Sequence, residues 1–230
     1  MEMKKIIFLI GLLITSILFI SILFFNSLAN NQREKAVLDR MNSVVGEYEN
    51  LQTLIFMSEF FGEDSTCFGL QSTLSTMDKG LWDLGLKIDL YRQVTENFML
   101  DPFYVQQKTE FNRKEVLYFA MLKKMKDMCK LNQTIVSYFY KKKEICPDCD
   151  AQSFVLADIK RDLEKINRED EIAIFSFDVD LNIASINLLV RVYNITSYPS
   201  IVLGNTTYSG LYNKKEVTKI FCREKKLAIC

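Results

Sequence analysis

Glu144-Ile145-Cys146-Pro147-Asp148-Cys149-Asp150 is the stretch on which the reading of this chain turns. Before it runs Thr134-Ile135-Val136-Ser137-Tyr138-Phe139-Tyr140, a β-branched and aromatic segment of strand character. After it, Ala151 to Lys165 carries apolar residues at Phe154, Val155, Ile159 and Leu163, a helical spacing. A C-x-x-C between a strand and a helix sets two thiols about one turn apart at a helix start. The reading places Cys146 at the N-cap and Pro147 at the first helical position, with Cys149 one turn on. The free amides and dipole of that helix end favour a thiolate on Cys146. Thiol–disulfide exchange is the chemistry such a pair can perform.

Downstream, Ser197-Tyr198-Pro199-Ser200 precedes a second strand-like run, Ile201-Val202-Leu203. Between the two motifs lie a strand over Glu171–Phe177 and a helix over Ile183–Tyr193. A hairpin around Gly204-Asn205 and a closing helix from Asn213 follow. From about Asn132 to Cys222, this order resembles the thioredoxin-fold superfamily, whose members set a cis-proline loop opposite the active C-x-x-C. The resemblance implies an α/β thioredoxin-like domain of β-α-β-α-β-β-α order. It also implies catalytic roles for Cys146 and Cys149, and substrate binding by Tyr198 and Pro199. The chain departs from the family at Ile145, where a Trp is usual, and in its Pro-Asp inner dipeptide. The strand Thr134–Tyr140 also lacks the family's buried acid.

The charges of the 230 residues balance, with 29 basic and 29 acidic side chains, so no basic surface points to nucleic acid. The chain has no histidine, which removes Ser-His-Asp and Cys-His catalysis and histidine metal sites. Residues 6–25 are uncharged and almost wholly apolar, about 30 Å as a helix, the thickness of a bilayer core. Lys4 and Lys5 before this run place the short tail in the cytoplasm and the rest outside. A cleaved signal peptide is the alternative, with Ser27-Leu28-Ala29 as its small residues; the length of the run favours a retained anchor.

Residues 1–30 are thus expected to form a membrane anchor, 31–131 an α-helical region, and 132–230 the thioredoxin-like domain. In the helical region Leu38, Met41, Val45, Tyr48, Leu51 and Ile55 mark one apolar face. Further helices are expected over Leu81 to Phe98 and Asn112 to Cys129, with breaks at Phe60-Phe61-Gly62 and Asp101-Pro102. These faces suit a bundle that spaces the redox domain from the membrane and packs on it. They also suit a homodimer interface.

Six cysteines outside the cytoplasm suggest pairing. Beyond Cys146 and Cys149, the remaining four allow three connectivities. The tightest joins Cys222 to Cys230 and leaves Cys67 with Cys129; buried free thiols remain the alternative for the latter two. No metal is expected, since only one pair has metal-like spacing. No cofactor is expected beyond the Cys146–Cys149 disulfide itself. The expected function is a membrane-anchored, extracytoplasmic thiol–disulfide oxidoreductase. It would act on protein thiols or disulfides, with a membrane or soluble redox partner. The rival is a tethered binding module whose Cys146–Cys149 bridge is structural.

Overall fold

A computed structural model describes residues 2–94, 101–224 and 227–230. The described chain opens with one unbroken helix, α1 (Glu2–Phe61), that carries the apolar run straight into the helical region with no break near residue 30. From Phe8 to Phe25 its large apolar side chains are solvent-exposed. It is the one helix among the described residues long and apolar enough to cross a membrane. Gly62, at φ 81°, turns the chain back into α2 (Glu63–Val94). The last residues of the helix expected over Leu81 to Phe98 lie outside the described residues.

The helix α3 (Pro102–Cys129) begins directly at the Asp101-Pro102 break, well before Asn112, where the helix was expected to start. Asp101 caps it by accepting the Phe103 and Tyr104 amides at 2.8 and 3.3 Å, and Pro102 takes the first turn. The buried face of α1 is Val37, Met41, Val44, Tyr48 and Leu51. Leu38, expected in that face, is largely exposed and Val45 only half-buried. Met41, Tyr48 and Leu51 are buried as expected and Ile55 is half-buried, while Val37 and Val44 take the places of Leu38 and Val45 because α2 packs along that side.

The remainder comprises β1 (Thr134–Tyr140), α4 (Cys149–Lys165), β2 (Ile172–Asp178), α5 (Ala184–Val192), β3 (Ser200–Leu203), β4 (Thr206–Ser209) and α6 (Lys214–Glu224). The sheet runs β2-β1-β3-β4, with β1 parallel to β2 and the other pairs antiparallel. Alternation along β1 sends Val136 and Tyr138 toward α4 and α6, and Phe139 toward the long helices.

The expected fold class, an α/β thioredoxin-like domain, is corrected by this structure. Six α-helices dominate the described residues, three of them 60, 32 and 28 residues long. The sheet is small and mixed, and two of its strands have only four residues. The motif drew attention to the C-terminal part, whereas the helices supply much of the buried apolar surface. Phe139, Ala173, Phe175 and Phe177 of the sheet share one core with Leu51, Leu84 and Leu122 of α1, α2 and α3.

The long helices and the sheet are also joined by polar bonds. On α3, Glu115 accepts the Ser176 amide at 3.0 Å and Asn112 accepts the Asp178 amide at 2.8 Å. These two side chains serve the outer edge of β2 as a neighbouring strand would. Lys160 of α4 is buried and donates at 2.7 Å to Asp78 of α2 and to the carbonyls of Glu169 and Ile172.

Candidate functional site

The C-terminal end of β1 delivers the loop 141–148. Its first turn is fixed by the Lys142 carbonyl, which accepts the amides of Ile145 at 3.0 Å and Cys146 at 2.9 Å. The Lys142 amide donates to Asp180, just past β2, at 2.7 Å. Asp180 is also 4.0 Å from the Lys141 ammonium.

Cys146 and Cys149 form a disulfide with their Cα atoms 5.4 Å apart. The helix starts later than the sequence reading put it. Asp148 is the N-cap and Cys149 the first residue of α4, because the Cys149 amide closes a tight turn onto the Cys146 carbonyl at 3.2 Å. Cys146 therefore stands one short turn ahead of the positive end of α4. The half-cystines are 2% and 3% exposed, while Ile145 beside them is 55% exposed. Pro147 and Asp148 are exposed as well, so the pair is covered but rimmed by open surface.

Several buried groups hold this end of α4. The Tyr138 hydroxyl donates to the Cys149 carbonyl at 2.6 Å, and burial keeps that hydroxyl protonated by raising its pKa. Gln152, fully buried, accepts the Tyr212 amide at 2.7 Å and so fastens the segment after β4. Arg92, near the end of α2, lies 2.7 Å from Asp89 and 3.5 Å from Asp150. Asp150 closes the C-x-x-C stretch, but nothing in the sequence pairs it with Arg92, which is far away along the chain and belongs to no motif.

Tyr198 and Pro199 are joined by a cis peptide bond, and the Pro199 carbonyl accepts the Gly210 amide at 2.8 Å. Ser200 pairs with Phe139, so Pro199 sits beside the end of β1 that launches the C-x-x-C loop. The Lys141 ammonium lies 5.0 Å from the Tyr198 ring centre. The structure thus gathers Cys146, Cys149, Tyr198 and Pro199 at one end of the sheet.

The other four cysteines lie elsewhere. Cys67 and Cys129 join α2 to the end of α3, and Cys222 and Cys230 tie the C-terminus to α6. The tail is fixed further by the Ala228 amide, which donates to Glu171 at 2.7 Å. Glu171 stands just before β2, at the end of the sheet away from the C-x-x-C.

A second polar group lies between α3 and the ends of β1 and β2. Tyr140 hydrogen-bonds Asp178, the Lys108 ammonium lies 5.3 Å from the Tyr140 ring centre, and burial raises the Asp178 pKa. Burial also pushes Glu115 up to about 8, although the Ser176 amide favours its charged form. One of its carboxyl oxygens is buried without a partner. The folded chain therefore holds a proton on Glu115 that the unfolded chain releases near 4.5. That contribution to stability is complete below pH 4.5 and is lost as the pH rises through about 8. Denaturation across this window should show stability falling by on the order of a few kcal/mol. In Glu115→Gln, which keeps the acceptor for Ser176, the fall should largely vanish. An unchanged slope would show that other groups cause it.

Comparison with known proteins returned no matching protein family, no matching curated protein and no matching solved structure.

Proposed function

We propose that this chain is a membrane-anchored thiol–disulfide oxidoreductase that exchanges disulfides with protein substrates through Cys146 and Cys149. The observation that carries the reading is the position of the pair at the positive end of α4, on the sheet end that also holds Tyr198 and Pro199. A thiolate on Cys146 gains from the helix end, and Cys149 lies close enough to resolve a mixed disulfide. The chemistry needs these two thiols and no fold class in particular.

Residues 6–25 serve as the anchor, and Lys4 and Lys5 put the tail in the cytoplasm with the body outside. Three disulfides suit that compartment. A second reading, a tethered binding module with a structural bridge, draws on the near-complete burial of both half-cystines.

The reduction potential of the pair in the detergent-solubilised full chain separates the two. A value between about −120 and −270 mV supports exchange, and one below about −300 mV supports the structural bridge.

A further inference from the structure

We infer that the Cys146–Cys149 pair faces the membrane and exchanges with a dithiol or disulfide that a membrane-embedded protein holds at the headgroup surface. The inference rests on the proposed exchange function and anchor, and adds to them the place and class of the partner.

The unbroken α1 is a ruler, since each residue past Phe25 adds about 1.5 Å of height. The helix α2 runs back along it toward the apolar segment: Asp83 pairs with Arg40 at 3.0 Å, and farther along Tyr91 donates to Glu34 at 3.4 Å. Glu34 stands about 14 Å beyond Phe25. At that level Arg92 meets Asp150, the residue next to Cys149.

The other contacts give the same direction. Along α4, Asp150 meets Arg92 while Lys160 meets Asp78, higher on α2. Along β2, Ser176 and then Asp178 meet Glu115 and then Asn112, so the strand descends as α3 rises. The parallel β1 descends with it and releases the C-x-x-C loop at its lower end. Cys67, near the turn between α1 and α2, holds Cys129 at the far end of the body. The long helices therefore fold the pair back toward the bilayer, where a partner thiol must lie close to the surface to reach it.

In the transfer a partner thiolate attacks the Cys146 sulfur, the Cys146–Cys149 bond breaks, and Cys149 leaves as a thiolate. The partner's second thiolate attacks its own sulfur in the mixed disulfide and releases Cys146. Two electrons and two protons pass from the partner dithiol to the pair, and the partner ends as a disulfide. The reverse sequence reduces a partner disulfide.

The test uses the reduced full chain in liposomes and two probes: a phosphatidylethanolamine whose headgroup carries a pyridyl disulfide, and a water-soluble pyridyl disulfide. The rate counted is the part lost in Cys146→Ala. Seven residues inserted between Asn26 and Ser27, two helical turns, lift the body by about 10 Å. The headgroup rate should then fall about tenfold as the effective concentration collapses, with the soluble rate unchanged. Equal rates before and after insertion overturn the membrane-facing placement and leave exchange itself standing. No Cys146-dependent reaction with either probe overturns the exchange function and this inference with it.

A second variant needs no insertion. Asn205→Cys in a Cys146→Ala, Cys149→Ala background puts a thiol on the exposed turn after β3, at the opposite end of the sheet. It should react with the soluble probe and hardly at all with the headgroup probe. Comparable headgroup rates for residues 146 and 205 also overturn the placement.

Discussion

Cells expressing Cys149→Ala should accumulate mixed disulfides through Cys146, visible as high-mass bands on non-reducing gels and absent after reduction. Wild-type chain should show few, because Cys149 resolves each adduct as it forms. Cys146→Ala should trap far less. Cys149 is the first residue of α4, its carbonyl fixed by Tyr138, while Cys146 precedes the helix beside the exposed Ile145. The difference in trapped material should be about tenfold or more, in line with the dependence of exchange on thiolate character. Equal trapping by both variants would remove the assignment of roles. Absence of trapping by either, in folded chain, would favour the structural bridge.

Lys160→Ala should destabilise the chain by about 3–5 kcal/mol in denaturant titrations. The Lys160 ammonium is buried with three acceptors at 2.7 Å. Removing it strips Asp78 of its cation, and burial already drives the Asp78 pKa upward. Two carbonyls lose a donor at the same time. The double variant Lys160→Met, Asp78→Leu removes both charges and keeps apolar volume, so it should recover most of the loss. Failure of the double variant to recover would mean that the carbonyl bonds, rather than the ion pair, dominate.

Local patterns in the sequence located many segments. The β-branched and aromatic run Thr134–Tyr140 is a strand with those bounds, since its side chains fill both faces of the sheet. Asp101-Pro102 opens α3 because an Asp cap and a first-turn Pro act within a few residues. The start of α4 lies two residues later than expected, because a first helical position at Pro147 leaves no room for the tight Cys146–Cys149 turn.

Contacts between distant residues were not legible. Nothing in the sequence distinguishes Glu115 and Asn112 from the other polar residues of α3, yet both are buried against β2. Likewise, nothing in the sequence sets Lys160 apart from the other charged residues of α4, yet it is buried. The overall class was misjudged for a related reason: a local motif shows nothing of how much core the long helices contribute.

Because α1 runs from the apolar segment to Phe61 without interruption, it acts as a mechanical lever. With residues 6–25 in a bilayer, as proposed, tilt of the span is not absorbed at a hinge and swings the whole body. A tilt of about 20°, average for membrane helices, displaces the tip near Phe61 sideways by about 18 Å. At Glu34, the level of the C-x-x-C end, the same tilt moves the body by only about 5 Å. Changes in bilayer thickness would then sweep the distal disulfide Cys67–Cys129 widely and leave Cys146 close to one spot above the membrane.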